Sequence, residues 1–208
     1  MAYISNEDRR RQLIEAATKV IRTHGVVKAT TRRIAEAAGA PLGSLHYCFR
    51  SKEELFEEVA NNFGIVGKSS FDAAVGEAMG IAAAVESIMD VFSKWRNSTI
   101  DDTVSEIEFH LASLRSKRHR SIPKRIYLKW IRFFTELLER AKAEDDAPMD
   151  LDGIARLIIS HQDGMLLMDK FTTGRSKAEI SSSFARMLAA AIRRGEFDRA
   201  SEASVEGD

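Results

Sequence analysis

The chain has 208 residues, 44% of them apolar and 30% charged, with 31 Lys and Arg balanced by 31 Asp and Glu. These proportions fit one or two small globular domains and exclude collagen-like, low-complexity or largely disordered architectures. A lone cysteine, Cys48, rules out an intrachain disulfide and a multi-thiolate metal centre, and no metal or cofactor is expected. The longest uncharged stretch, Ala37 to Phe49, contains a proline and two glycines. It falls well short of the roughly 20 apolar residues of a membrane span. The N-terminus lacks a basic-then-apolar leader, so the expected compartment is the cytoplasm, with no membrane partner.

Charge is unevenly spread beneath the neutral total. From Arg9 to Lys52 there are ten Lys and Arg against two acids, Glu15 and Glu36, a net of +8. Acids bracket this window at Glu7, Asp8, Glu53, Glu54, Glu57 and Glu58. A basic N-terminal segment on a near-neutral body points to a polyanionic partner.

The chain then reads as a succession of helices. Leu13, Ala17, Val20 and Ile21 mark one face of a helix from about Asn6 to His24, with Ser5 or Asn6 as cap and Gly25 as stop. A short helix follows from the Thr30 cap to Gly39, and another from Leu42 to Phe49, with Pro41 near its first turn. Ser51-Lys-Glu-Glu54 is a capping box that opens the next helix through Leu55, Phe56 and Val59. Two short helices joined by a tight turn and flanked by longer ones form a helix-turn-helix pattern. Beyond it, helical stripes run through Ile81–Trp95, Val104–Leu114, Ile122–Leu137, Leu151–Met168 and Ile180–Ile192, and no alternating strand segment or internal repeat occurs. The expected fold is all-α with about nine helices. The expected domains are 1–52, helix-turn-helix, and 53–208, a second helical domain, for which the resemblance described below implies ligand binding and dimerisation.

A recognition helix needs a short exposed face of small and polar residues near its start. Leu42, Gly43, Ser44, His46 and Tyr47 supply one, while Leu45 and Phe49 point inward. Ser44 suits a base edge or phosphate, Leu42 a thymine methyl, and Gly43 a close backbone approach. Thr31, Arg32 and Arg33 stand at the start of the preceding helix, where phosphates are held, and Lys52 opens the following one. Arg9 to Arg11 read either as a solvated face or as phosphate contacts. Thr30 is a helix cap with a possible second role on DNA.

The stretch Thr30–Leu55 resembles the DNA-binding head of the TetR/AcrR family of bacterial transcriptional regulators. Thr30, Ile34, Ala35, Ala38, Gly39, Gly43, Leu45, Phe49, Ser51, Lys52, Glu53 and Leu55 carry the resemblance. His46, Cys48 and the pair Ala40-Pro41 depart from the family pattern. The resemblance implies backbone contacts from Lys52, Tyr47 and the Thr30-Thr31 pair. It also implies a homodimer on a double-stranded, palindromic operator, and a small hydrophobic or amphipathic effector that releases it. An activator of the same fold and a non-specific nucleoid-type DNA binder are the alternatives. An enzyme is not expected, because no catalytic motif is present and the five histidines are scattered.

The late segment around Asp163-Gly164 resembles the family's dimer helix. Met168, Phe184, Met187, Leu188, Ala191 and Ile192 are the expected interface residues. Aromatic and Met side chains of the middle helices should surround the effector. The candidates are Phe92, Trp95, His110, Leu114, Trp130, Phe134, His161 and Met165, with the two histidines as polar anchors. Finally, residues 115–132 hold eight Lys and Arg and no acid. This run reads as a solvated edge or as a surface for an anionic effector such as an acyl-coenzyme A thioester.

Overall fold

A computed structural model describes residues 4–62, 68–94, 100–117 and 120–198. Among them are ten α-helices, one 3-10 turn and no strand, so the all-α expectation holds with one helix more than anticipated. The additional helix, α5 (Lys68–Ala74), buries one large apolar side chain, Phe71, which leaves no periodic stripe to read. Contacts divide the chain into two compact units, 1–65 with 98–128 and 66–97 with 129–208. The sequence-based boundary after residue 52 falls inside the first of these.

The first unit opens with α1 (Asn6–His24), whose cap is Ser5: its Oγ accepts from the Asp8 N–H at 3.1 Å. Such a cap contributes about 1 kcal/mol. Leu13, Ala16, Ala17, Val20 and Ile21 are buried, the 3.6-residue stripe that sequence spacing indicated. The 3-10 turn Val26–Lys28 leads to α2 (Thr31–Ala37), where the Thr30 hydroxyl accepts from the Arg33 N–H at 3.2 Å. Gly39 takes φ +58, a left-handed turn that glycine makes without steric cost, and α3 (Leu42–Cys48) follows. Next comes α4 (Lys52–Asn62); the Ser51 hydroxyl accepts from the Glu54 N–H, as a capping box requires. The Glu54 carboxylate, however, reaches the Arg50 N–H at 2.8 Å, one residue short of the reciprocal bond.

One side chain ties these elements together. Arg10 on α1 donates to the Cys48 carbonyl at the end of α3 at 2.6 Å, and to Glu54 and Glu58 on α4 at 2.9 and 3.1 Å. Its guanidinium lies 4.3 Å from the centre of the Phe49 ring. Gln12, also on α1, donates to the Ala38 carbonyl at 2.7 Å and so holds the end of α2. Arg10 is therefore an internal strut rather than a solvated or phosphate-facing charge. Also in this unit, α7 (Ile100–Arg115) packs on α1 and the 3-10 turn, with Phe109 edge-on to Phe56 at 5.9 Å.

The second unit is built around α6 (Ile81–Lys94), α10 (Lys177–Arg193) and α9 (Leu151–Phe171). Small residues on α10, Ser181, Ala185 and Ala189, are buried and let α6 lie close along it. The later part of α8 (Ser121–Ala141) adds Ile131, Phe133, Phe134, Leu137 and Leu138 to the same core. Ser176 and Glu179 close a full capping box at the start of α10.

Replacing Arg10 by Met keeps an apolar stem but removes the donor to the Cys48 carbonyl and to Glu58, and leaves Glu54 with the Arg50 N–H. Thermal unfolding should show a loss of about 2 kcal/mol. The Arg50 backbone N–H, aided by Arg10, holds the Glu54 carboxyl below the usual glutamate range. A carboxyl depressed in the folded state stabilises above its unfolded pKa, and that gain is lost as pH falls through the folded value. Acid titration of stability should therefore steepen below the ordinary carboxylate range in the wild type and flatten in Glu54→Gln.

Candidate nucleic-acid interface

Seven residues make α3, too few to persist as a helix alone, so its orientation is set by what it buries. Leu45 and Cys48 turn inward at 1% and 7% exposure, and Phe49 follows them. That leaves Leu42, Gly43, His46 and Tyr47 exposed on the opposite side, with Ser44 half-buried between. Tyr47 is 80% exposed and Leu42 44%, large side chains that the head itself does not cover. A Cβ added at Gly43 would meet nothing within 4 Å, so this glycine fills no internal need and leaves the outer backbone open to close approach.

The residues expected to grip phosphate surround this helix in sequence and in the unit. Thr31 is half-buried at the first turn of α2, and Arg32 and Arg33 are exposed beside it. Arg32 pairs with Glu36 at 2.9 Å, yet both side chains are mostly in water, so the pair is weak and readily exchanged for a phosphate. Arg33 Nη1 reaches only the Lys28 carbonyl, at 3.4 Å. Lys52 is half-buried at the start of α4, with its ammonium 4.7 Å from the centre of the Phe56 ring. The stem is thus packed while the charge stays at the helix end. Thr30 serves as the α2 cap through its side chain and is itself exposed.

The effector candidates are distributed over both units. Phe92, Trp130 and Phe134 come together in the second unit, where they pack with Phe71 and Phe133. Phe71 meets Phe92 and Phe134 edge-on at 4.9 and 5.1 Å, and Trp130 stacks on Phe134 at 5.9 Å. Phe92 and Phe134 are buried core residues, whereas Trp130 is half-buried. Met165 is buried on α9. His161, expected as a polar anchor, lies flat on Phe184 at 4.1 Å and shares a 3.3 Å hydrogen bond with Ser181. Burial, with Lys177 nearby, pushes its pKa down, so a neutral ring pins α9 to α10. His110 and Leu114 belong to the first unit. His110 is half-buried, edge-on to Tyr127 at 5.6 Å, and burial lowers its pKa; Leu114 is 60% exposed. Trp95 lies outside the described residues.

The dimer candidates divide in two. Leu188, Ala191 and Ile192 are buried within their own chain, Leu188 and Ile192 in the core shared by α6 and α9, so they cannot themselves form an outer face. Met187 and Met168 are exposed and Phe184 is half-buried under His161. The sequence showed α10 as apolar but not that it carries both an inner and an outer stripe. Further exposed apolar residues, Leu157, Leu167 and Phe171, stand on α9 and were not among the expected interface residues.

Of the basic run, Arg125 is engaged by Glu57 at 2.7 Å, while Arg115, Lys117, Arg120 and Lys124 are exposed in the first unit. No cluster of three potential metal ligands occurs among the described residues, and no described helix is long and apolar enough to cross a membrane.

Residues 13–59 match the family model described as bacterial regulatory proteins, tetR family. The chain is 30% identical to the nicotine-responsive transcriptional repressor HdnoR of Paenarthrobacter nicotinovorans, over 79% of this chain and 84% of that protein. It is 28% identical to the HTH-type transcriptional regulator BetI of Agrobacterium fabrum, over 72% of this chain and 73% of the relative. The multidrug binding protein EbrR, solved with imidazole, superposes with a TM-score of 0.63 at 22% identity, covering 87% of this chain and 89% of its own. That likeness is one of fold. With a head that presents α3 outward and a relative of this similarity along most of its length, the chain belongs to the TetR family of bacterial regulatory proteins.

Proposed function

We propose that this transcriptional regulator is a sequence-specific repressor, released from a palindromic operator by a small hydrophobic or amphipathic molecule. The observation that carries the reading is the outward face of α3, Leu42, Gly43, His46 and Tyr47, on a helix whose other side is buried. A single helix of this length spans only a few base pairs, so specificity requires two heads related by a two-fold axis. The exposed apolar residues Leu157, Leu167, Met168, Phe171 and Met187 of α9 and α10 support pairing through those helices. Exposed apolar side chains gathered on two helices are the kind of surface that marks an interaction site.

In this reading Lys52, Thr31, Arg32, Arg33, His46 and Tyr47 hold phosphates and sugars, and Leu42, Gly43 and Ser44 meet base edges. Thr30 sets the α2 start that aims its N–H groups at a phosphate. The ligand-release step is supported by the relative HdnoR, whose name records a response to nicotine, and by EbrR, solved with imidazole, ethidium and malachite green. An effector acts by binding one arrangement of the paired heads better than the other, which shifts the population away from the DNA-competent state. Phe92, Trp130, Phe134 and Met165 supply the apolar environment on this account.

Lys52→Ala should weaken binding to every duplex alike and reduce the salt dependence by about one phosphate contact per head. Ser44→Ala should mainly relax preference at one base pair of each half-site, a change of about 1–3 kcal/mol in discrimination. Titration of operator and random duplexes over a range of salt checks both. Equal affinity for the two duplexes with a steep salt slope would favour the nucleoid-type alternative. For the pairing surface, Phe171→Asp should shift sedimentation from dimer to monomer at micromolar concentration.

A further inference from the structure

Among the described residues, one buried side-chain polar atom has no hydrogen-bond partner, Gln162 Oε1. The residue is 9% exposed, and it occupies a position that helical spacing reserves for apolar side chains. On the inner face of α9, Leu151, Ile154, Ala155 and Ile158 enter the continuous core of the second unit. Gln162 and Met165 continue that face beyond Ile158, and Met165 is buried to 3% exposure. A leucine or methionine at 162 would satisfy the packing without desolvating an amide.

The neighbouring polar groups are already committed to each other. His161 is stacked on Phe184, and its Nε2 is bonded to the hydroxyl of Ser181, which is fully buried. Neither turns to Gln162. These contacts also fix the α9 backbone at residue 161, so the adjacent amide is held on a rigid element, as a recognition group requires. A buried acceptor without a donor calls for a partner from outside the chain, and sites for small molecules pair apolar walls with a few such fixed polar groups.

We propose that Gln162 is the polar anchor for the effector. Its Oε1 accepts a hydrogen bond from an N–H or O–H of the bound molecule, and Met165 covers the apolar or aromatic body beside that donor. The assignment rests on the ligand-release reading above and narrows its chemistry. Effectors carry at least one donor on an apolar frame, and hydrocarbons or fully N-alkylated analogues bind more weakly. Losing one such hydrogen bond lowers affinity by about tenfold.

Matched probes test this: indole against 1-methylindole, and benzimidazole against 1-methylbenzimidazole, titrated into the full-length wild type and Gln162→Met. Thermal midpoints report binding, and retention of duplex DNA reports release. The expected result is a roughly tenfold advantage of at least one N–H compound over its N-methyl twin in the wild type, lost in Gln162→Met. The ligand-free variant should melt no lower than the wild type, because it no longer buries an unpaired acceptor, and should keep its DNA affinity. The assignment is overturned by a lower midpoint in the ligand-free variant, by no N–H advantage in the wild type, or by an advantage that persists in Gln162→Met. DNA release that survives in Gln162→Met with unchanged preference keeps the ligand-release reading and removes Gln162 from it. A Gln162-dependent advantage without any DNA release keeps the anchor and contradicts the ligand-release reading.

Discussion

The guanidinium of Arg10 meets the end of one helix, the start of another and an aromatic face at once, and the geometry of the DNA-reading head depends on that junction. Through the Cys48 carbonyl it holds the last turn of α3, through Glu54 and Glu58 it holds α4, and it lies over Phe49 between them. A helix as short as α3 has little stability of its own. Its outward face exists because Leu45 and Cys48 are drawn inward and because its C-terminus is tethered to α1. The Gln12 bond to Ala38 does the corresponding job for α2. The outward placement of Leu42, Gly43, His46 and Tyr47 is thus a consequence of contacts made elsewhere in the head.

This junction changes the meaning of the charge pattern. Arg10 belongs to the basic window by sequence, but in the fold it is paired with acids that lie beyond the window's edge, 44 and 48 residues away. Arg11 and Arg32 also have carboxylate partners, both within their own helices and both exposed. The field presented to a polyanion is correspondingly smaller than the window's net charge suggests. The acids that bracket the window are working parts of the head rather than a neutral surround.

Local signals were legible in the sequence wherever they depend on near neighbours. The stripe Leu13, Ala17, Val20 and Ile21, the Ser5 and Thr30 caps and the glycine stops at 25 and 39 are decided within a turn or two, and the structure has them as the spacing indicates. Partnerships across the fold were not legible. Nothing near Arg10 in sequence announces Glu54, and nothing near His161 announces Phe184, which turns an apparent ligand anchor into a pin between two helices. Apolar periodicity likewise shows that α10 buries a face but not which stripe. Leu188 and Ile192 face their own core, and Met187 faces outward. Gln162 could have been noticed as a polar residue on an apolar stripe four places after Ile158, but its lack of a partner is a property of the folded chain alone.

Under the proposed function the head, as Arg10 holds it, reads a defined DNA sequence. The most direct test is to pass fragmented genomic DNA from the host over the wild-type protein and over Arg10→Met at near-physiological salt, and to sequence what each retains. The wild type should retain a few fragments sharing a palindrome, and the variant should lose this enrichment. Broad retention without a shared motif, or the same palindrome enriched equally by the variant, would contradict that reading.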